Sequence, residues 1–184
     1  MRKVRRHDQA GITLIELVIA IVIVALLAAL AIQGVTRAIY ASRSAGGLAS
    51  LIASLTRARS VAASTEVDVV LCPSVDGKTC SAGFHWEEGW IAFQATKPGS
   101  NHVPGETVIL HEPALAARVH LVTSAGRTRI RFQGNGSNAG SNVTFTLCDL
   151  RGPHAATAYA MANNGNLHST APEGAGIASA CAGL

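Results

Sequence analysis

Charge and aromatic side chains are both scarce in this chain. Of its 184 residues, 14% are Asp, Glu, Lys or Arg and 4% are aromatic, while 48% are hydrophobic. So little charge excludes a solvated, disordered chain. No C-x-x-C occurs among the four cysteines, which weakens a zinc reading. The seven histidines are scattered, with no H-E-x-x-H and no close pair, so a zinc-protease helix is excluded. No G-x-S-x-G elbow is present. Gly134–Gly140 ("GNGSNAG") contains a G-x-G-x-x-A string, but a dinucleotide site needs a strand before it and a helix after it. Strand-like sequence lies on both sides here, which predicts a hairpin loop. No catalytic group, cofactor or metal site is expected.

What is abundant is aliphatic sequence at the N-terminus. Leu17 to Ile32 are sixteen consecutive apolar residues, about 24 Å of helix. Ile12–Leu14 extend this run to roughly the thickness of a bilayer core. Arg2, Lys3, Arg5 and Arg6 precede it, a topology signal that keeps the N-terminus cytoplasmic and sends the rest across. Without residues 1–11, eleven basic and ten acidic side chains remain, so the net charge of +4 is mostly the leader. A secretory signal peptide would end in a small-x-small cleavage site. This run ends in "AIQGVTRAIY" instead. One carboxylate, Glu16, stands at its start, where a charge costs about 2.5–3.5 kcal/mol and needs a partner.

Cys72, Cys80, Cys148 and Cys181 all follow the apolar run. An even count in an exported domain implies disulfides, with three connectivities open and zinc as the rival. We expect Cys72–Cys80, closing the short loop "CPSVDGKTC", and Cys148–Cys181, stapling the C-terminal tail.

Beyond the span, Leu48, Leu51, Ile52, Leu55, Ala58 and Ala62 recur at helical spacing, which predicts a helix lying on a sheet. Arg43, Arg57 and Arg59 fall off that stripe. Gly34, Gly46 and Gly47 weaken the helix by about 1 kcal/mol each relative to Ala. From Glu66 onward the pattern is β: residues 66–72, 90–95, 107–112, 118–123, 127–134, 142–149 and 156–162 are rich in β-branched side chains and mostly separated by turn residues. The expected fold is α+β: one long N-terminal helix, membrane-spanning in its first half, packed on antiparallel sheets. The divisions are 1–11 leader, 12–34 spanning half-helix, 35–64 second half-helix, and 65–184 β-rich domain.

Gly11-Ile12-Thr13-Leu14-Ile15-Glu16 resembles the processing signal of type IV pilins and pseudopilins. The resemblance implies that a prepilin peptidase cuts between Gly11 and Ile12 on the cytoplasmic side, and that the new amine is methylated. Ile12 stands where that family usually has phenylalanine. Cleavage creates a charged amine on Ile12, one helical turn before Glu16. Between parallel helices, the Glu16 carboxylate of one subunit can meet the amine of the next, setting register and assembly.

"CPSVDGKTC", "HWEEGWIAF" (His85–Phe93) and "VTFTLCDLRG" (Val143–Gly152) are together similar to the GspH/FimT family of minor pilins. Trp86 and Trp90 fall in the second segment, where Trp90 and Phe93 read as core anchors. The resemblance implies a minor pilin that enters or primes a type IV pilus, with other pilins as partners. It would sit in the inner membrane, crossing once, with a periplasmic C-terminal domain. An H-class minor pseudopilin of type II secretion is the close alternative. A DNA-binding subunit for natural transformation is the alternative from another class. In "GRTRIRF", Arg127, Arg129 and Arg131 alternate, so a strand would put all three on one face, suited to the phosphates of double-stranded DNA. The DNA-binding pilins of the family carry a G-R-x-R motif after the last cysteine-bearing strand. There this chain reads "NGNLHST" (Asn164–Thr170), with Asn166 and His168 in place of the arginines.

Processing is checked by mass. The mature chain should begin at Ile12, and Gly11→Val should keep its leader. A mature start downstream of Ile32 would remove the pilin reading.

Overall fold

The computed structural model describes residues 11–95, 106–138, 140 and 142–184, with the backbone alone at Gln33. The basic leader, residues 1–10, lies outside the described residues. Helix α1 runs from Leu14 to Thr65. Two compact units divide it, Met1–Ala38 and Ile39–Leu184.

Among the described residues of the larger unit, α1 is followed by eight strands: β1 (Val69–Pro73), β2 (Trp90–Gln94), β3 (Val108–Glu112), β4 (Val119–Thr123), β5 (Ile130–Phe132), β6 (Val143–Asp149), β7 (Thr157–Met161) and β8 (Leu167–Thr170). They form two four-stranded sheets, ordered β3-β2-β1-β5 and β4-β6-β7-β8. All the strand pairs are antiparallel. A short helix α2, Gly174–Ala180, closes the chain. The expected α+β class and all seven expected strand regions are present.

Four details differ. β8 is a strand that alternation did not reveal, because "LHST" is short, polar and mostly exposed. α2 was equally hidden, since "GAGIASA" is Gly-rich and has no side-chain cap. Gly134–Gly140 is no hairpin: it carries the chain from β5 in one sheet to β6 in the other. Gly134 is needed there because a Cβ would stand 2.5 Å from the Glu66 carbonyl oxygen. Ile52, counted in the buried stripe, is 43% exposed. It sits one residue beyond Leu51, about 100° around the helix.

The core forms where the stripe Leu51, Leu55, Ala58 and Ala62 meets both sheets. β1 and β2 contribute Val69, Leu71, Trp90 and Ala92, and the second sheet contributes Leu121, Phe145 and Leu147. Alternation along each strand puts these side chains on one face. Trp86 lies edge-on to Phe145, centroids 5.5 Å apart, and its indole N–H donates to the Thr123 hydroxyl. Phe93 points the other way and is fully buried with Val70, Cys72 and Ile91.

A polar clasp joins helix to sheet. The Ser44 hydroxyl, on α1, donates to the Asp149 carboxylate at the end of β6. Arg151 donates to the same carboxylate from Nε and Nη2, at 2.9 and 2.8 Å. Burial alone would raise the Asp149 pKa, but the hydrogen bonds from Arg151 and Ser44 lower it to about 2. A carboxylate with a depressed pKa adds stability above its unfolded value, and that stability fades as pH falls through the folded one. Unfolding of the detergent-solubilised chain should therefore lose about 2 kcal/mol between pH 4 and pH 2. Asp149→Asn should flatten that slope. An unchanged slope would separate the clasp from acid sensitivity.

Candidate functional site

The described residues of the N-terminal unit form an exposed apolar helix. Its large aliphatic side chains from Ile12 to Ile32 are between 47% and 81% exposed. Among the described residues, α1 is the one helix long and apolar enough to cross a membrane. Such a surface is stable against lipid or against other helices, not against water.

Local capping explains where α1 begins. Thr13 precedes the first helical residue, and its hydroxyl accepts the Glu16 N–H at 3.4 Å. The Leu17 N–H bonds the Thr13 carbonyl. Thr-x-x-Glu is the spacing of a capping box. The Glu16 carboxylate also stands in the first turn, at the positive end of the helix dipole. So Glu16 has a role within one chain besides the intersubunit pairing expected of it. The T-L-I-E spacing carried that signal in the sequence. Gly11 is exposed, and a Cβ there would meet nothing within 4 Å. Neither packing nor a positive φ demands glycine at this position. Any requirement for it comes from outside the fold.

The arginine row does not form. β5 covers Ile130–Phe132 alone. Arg127 is held in the preceding turn, where its carbonyl accepts the Thr123 hydroxyl at 2.6 Å. Arg129 lies between turn and strand, half-buried. Arg131 is on β5, but its guanidinium is paired with Asp68, Nε at 2.6 Å. Asp68 stands just ahead of β1, the partner strand of β5, so no count of acids within the arginine segment could have revealed it. On the opposite face, Ile130 and Phe132 are fully buried, as alternation predicts.

Both disulfides are present as expected. Cys72–Cys80 closes a loop at the end of β1, and Cys148–Cys181 ties the end of α2 to β6. Within the first loop, Asp76 accepts the Lys78 and Thr79 N–H groups, each at 2.8 Å. Those bonds hold its carboxyl well below the usual range. Under the second, Ala180 and Cys148 are buried with Val122.

Residues 48–165, well over half the chain, match the family model described as type II transport protein GspH. The chain belongs to that family. Residues 6–32 match the prokaryotic N-terminal methylation motif, which spans Gly11, Ile12 and Glu16. Among solved structures, this GspH-family chain is similar to the type IV minor pilin FimU of Pseudomonas aeruginosa. The two share 17% identity and a TM-score of 0.55, over 74% of this chain and 91% of that one. It is also similar to the minor pseudopilin EpsH from the Type 2 Secretion System of Vibrio cholerae, at 14% identity and TM-score 0.48, over 71% and 98% of the two chains. No curated protein matches the chain. The FimU likeness supports the fold: a helix on two antiparallel sheets. Family and fold are those of structural pilins and pseudopilins, not of enzymes.

The two bridges should act separately. Replacing Cys148 and Cys181 by Ser should cost about 2–5 kcal/mol and free α2 to exchange its amides. The Cys72–Cys80 peptide should stay linked on a non-reducing map. Linkage of Cys72 to Cys148 or Cys181 in the native chain would overturn the pairing.

Proposed function

We propose that this chain is a minor type IV pilin that enters or primes a pilus. The observation that carries the reading is the bare apolar helix, with Glu16 in its first turn and Gly11 just ahead of it. A prepilin peptidase cuts after Gly11, and the Ile12 amine that results is methylated. Before assembly the chain spans the inner membrane once. Residues 1–11 are the cytoplasmic leader, 12–34 the span, 35–64 the outer half-helix, and 65–184 the periplasmic domain. Arg2, Lys3, Arg5 and Arg6 fix that orientation.

In a bundle of parallel helices, the Glu16 carboxylate of one subunit accepts the Ile12 amine of its neighbour. Two opposite charges removed from water together attract strongly, and either left alone is costly. The pair thus fixes the axial register of otherwise featureless aliphatic surfaces. The two disulfides favour the pilus. The description of the matched family favours a second reading, a minor pseudopilin of type II secretion. Loss of surface pili against loss of a secreted enzyme, on deletion of the gene, separates the two. DNA capture is no part of the proposal, because Arg131 is committed to Asp68.

Glu16→Ala should be cleaved and inserted normally, since it makes the span more apolar. It should be depleted from sheared filaments or tip complexes about tenfold or more, the weight of 1.4 kcal/mol or above for a lost buried partner. Glu16→Asp should recover part of that. Incorporation of Glu16→Ala at the parental level would remove the register role.

A further inference from the structure

The second sheet has a face turned away from α1. On β6, Val143, Phe145 and Leu147 belong to the core, so Thr144, Thr146 and Cys148 point to the other side. α2 covers part of that outer face. Cys181 is bridged to Cys148, and Ala180 is buried with Val122 and Cys148. The His120 Nδ1 lies 3.1 Å from the Ala180 carbonyl oxygen. Beside this cover a cleft of about 320 Å³ remains, with Phe84, Thr146 and Glu173 among its walls. A second cavity of about 310 Å³ adjoins it, since Ser124 and Thr144 line both. His168 closes the far side of the second. Both volumes fall at the lower end of the range for small-ligand sites.

The walls carry hydrogen-bonding groups that the fold leaves unused. Thr146 is 4% exposed. A Cβ on Gly176 would stand 2.8 Å from its Oγ1, so glycine at that point of α2 keeps the hydroxyl uncovered. That hydroxyl has no hydrogen-bond partner among the described residues. The Thr144 and Ser179 hydroxyls and the Glu173 carboxylate have none there either. A nearly buried polar group without a partner is costly, and a ligand that supplies the missing bonds removes that cost. Phe84, half-buried, adds an aromatic wall. No Arg or Lys lines either cavity, and the ionisable groups in the two linings are Glu173 and His168. That lining disfavours phosphates and other anions.

We propose that this cleft binds a neutral disaccharide unit of a glycan, one pyranose ring in each cavity. A pyranose has an apolar C–H face, which packs on an aromatic ring because the π-face is negative. Its rim of hydroxyls donates and accepts, as the Ser and Thr hydroxyls of the walls do. A carboxylate accepts sugar hydroxyls in charge-assisted bonds. An aliphatic ligand would leave Thr144, Thr146 and Ser179 unpaired, and a simple cation would engage Glu173 alone. The cleft lies wholly within the larger unit, so the proposal is independent of how the chain is anchored.

The test uses the full chain in a detergent without a sugar headgroup. Saturation-transfer NMR is run against maltose, cellobiose, lactose and N,N′-diacetylchitobiose, with ethanolamine as a cation control. At least one disaccharide should bind in the millimolar range, with transfer to its ring C–H protons. Thr146→Val keeps the shape and removes the hydroxyl. It should weaken binding about fivefold, the weight of one neutral hydrogen bond, without lowering Tm. Glu173→Gln, at an exposed position, should weaken it about tenfold, as for a bond to a charged group. Transfer to none of the four disaccharides would overturn the proposal, and so would sugar binding that either variant leaves unchanged. Transfer to ethanolamine alone, lost in Glu173→Gln, would assign the cleft to a cation and overturn the glycan reading.

Discussion

Both sheets are organised by one stripe of α1. Leu51, Leu55, Ala58 and Ala62 are the helical side of a core whose other walls come from β1 and β2 in one sheet and from β4 and β6 in the other. Neither sheet could bury its inward face without that stripe. The two alanines let the sheets approach the helix axis closely, and the leucines fill the space toward Trp86 and Trp90. At the start of this packed section, the Ser44–Asp149–Arg151 clasp fixes where along α1 the second sheet is held. A non-directional contact supplies the affinity, and a directional one supplies the register. Fully buried aliphatic and aromatic side chains contribute about 1.5–3 kcal/mol each, so the stripe outweighs the clasp energetically.

α1 meets two demands with one secondary structure. In its first half the helix is apolar on nearly every face, a surface stable against lipid or other helices. In its second half the apolar residues contract to a stripe, because the partner is a sheet on one side. Glu16 belongs to the first regime, yet its backbone and carboxylate also serve the start of the helix. That double use explains why a charge is tolerated there in a monomer. Thr13 caps the helix through the Glu16 N–H, and the Glu16 carboxylate faces the positive end of the helix dipole before it has met any neighbour.

The strands that face the core were legible because alternation and β-branching mark them, and Trp90 and Phe93 read correctly as anchors. The bare apolar helix and its charged first turn were equally plain. β8 and α2 were not, because each is held by its neighbours: β8 by β7, and α2 by Cys181 and the surface of β4 and β6. Neither sequence prefers its own conformation. The arginine row misled for a related reason. Alternation in "GRTRIRF" is real, but strand geometry holds for three of those residues alone, and the counter-charge comes from Asp68, far away in sequence. Spacing reports on faces. It does not report which distant side chain lies across them.

The Cys148–Cys181 bridge has a mechanical consequence. In the filament role proposed above the chain would carry load, and β7 and β8 lie between the two bridged cysteines. Tension applied to the last residues would pass through the sulfur atoms directly to β6 and bypass both strands. β6 is an inner strand, hydrogen-bonded to β4 on one side and β7 on the other, so pulling it free means breaking two ladders together rather than peeling one edge. A hairpin that would otherwise be the first part to unravel is thereby left outside the line of force.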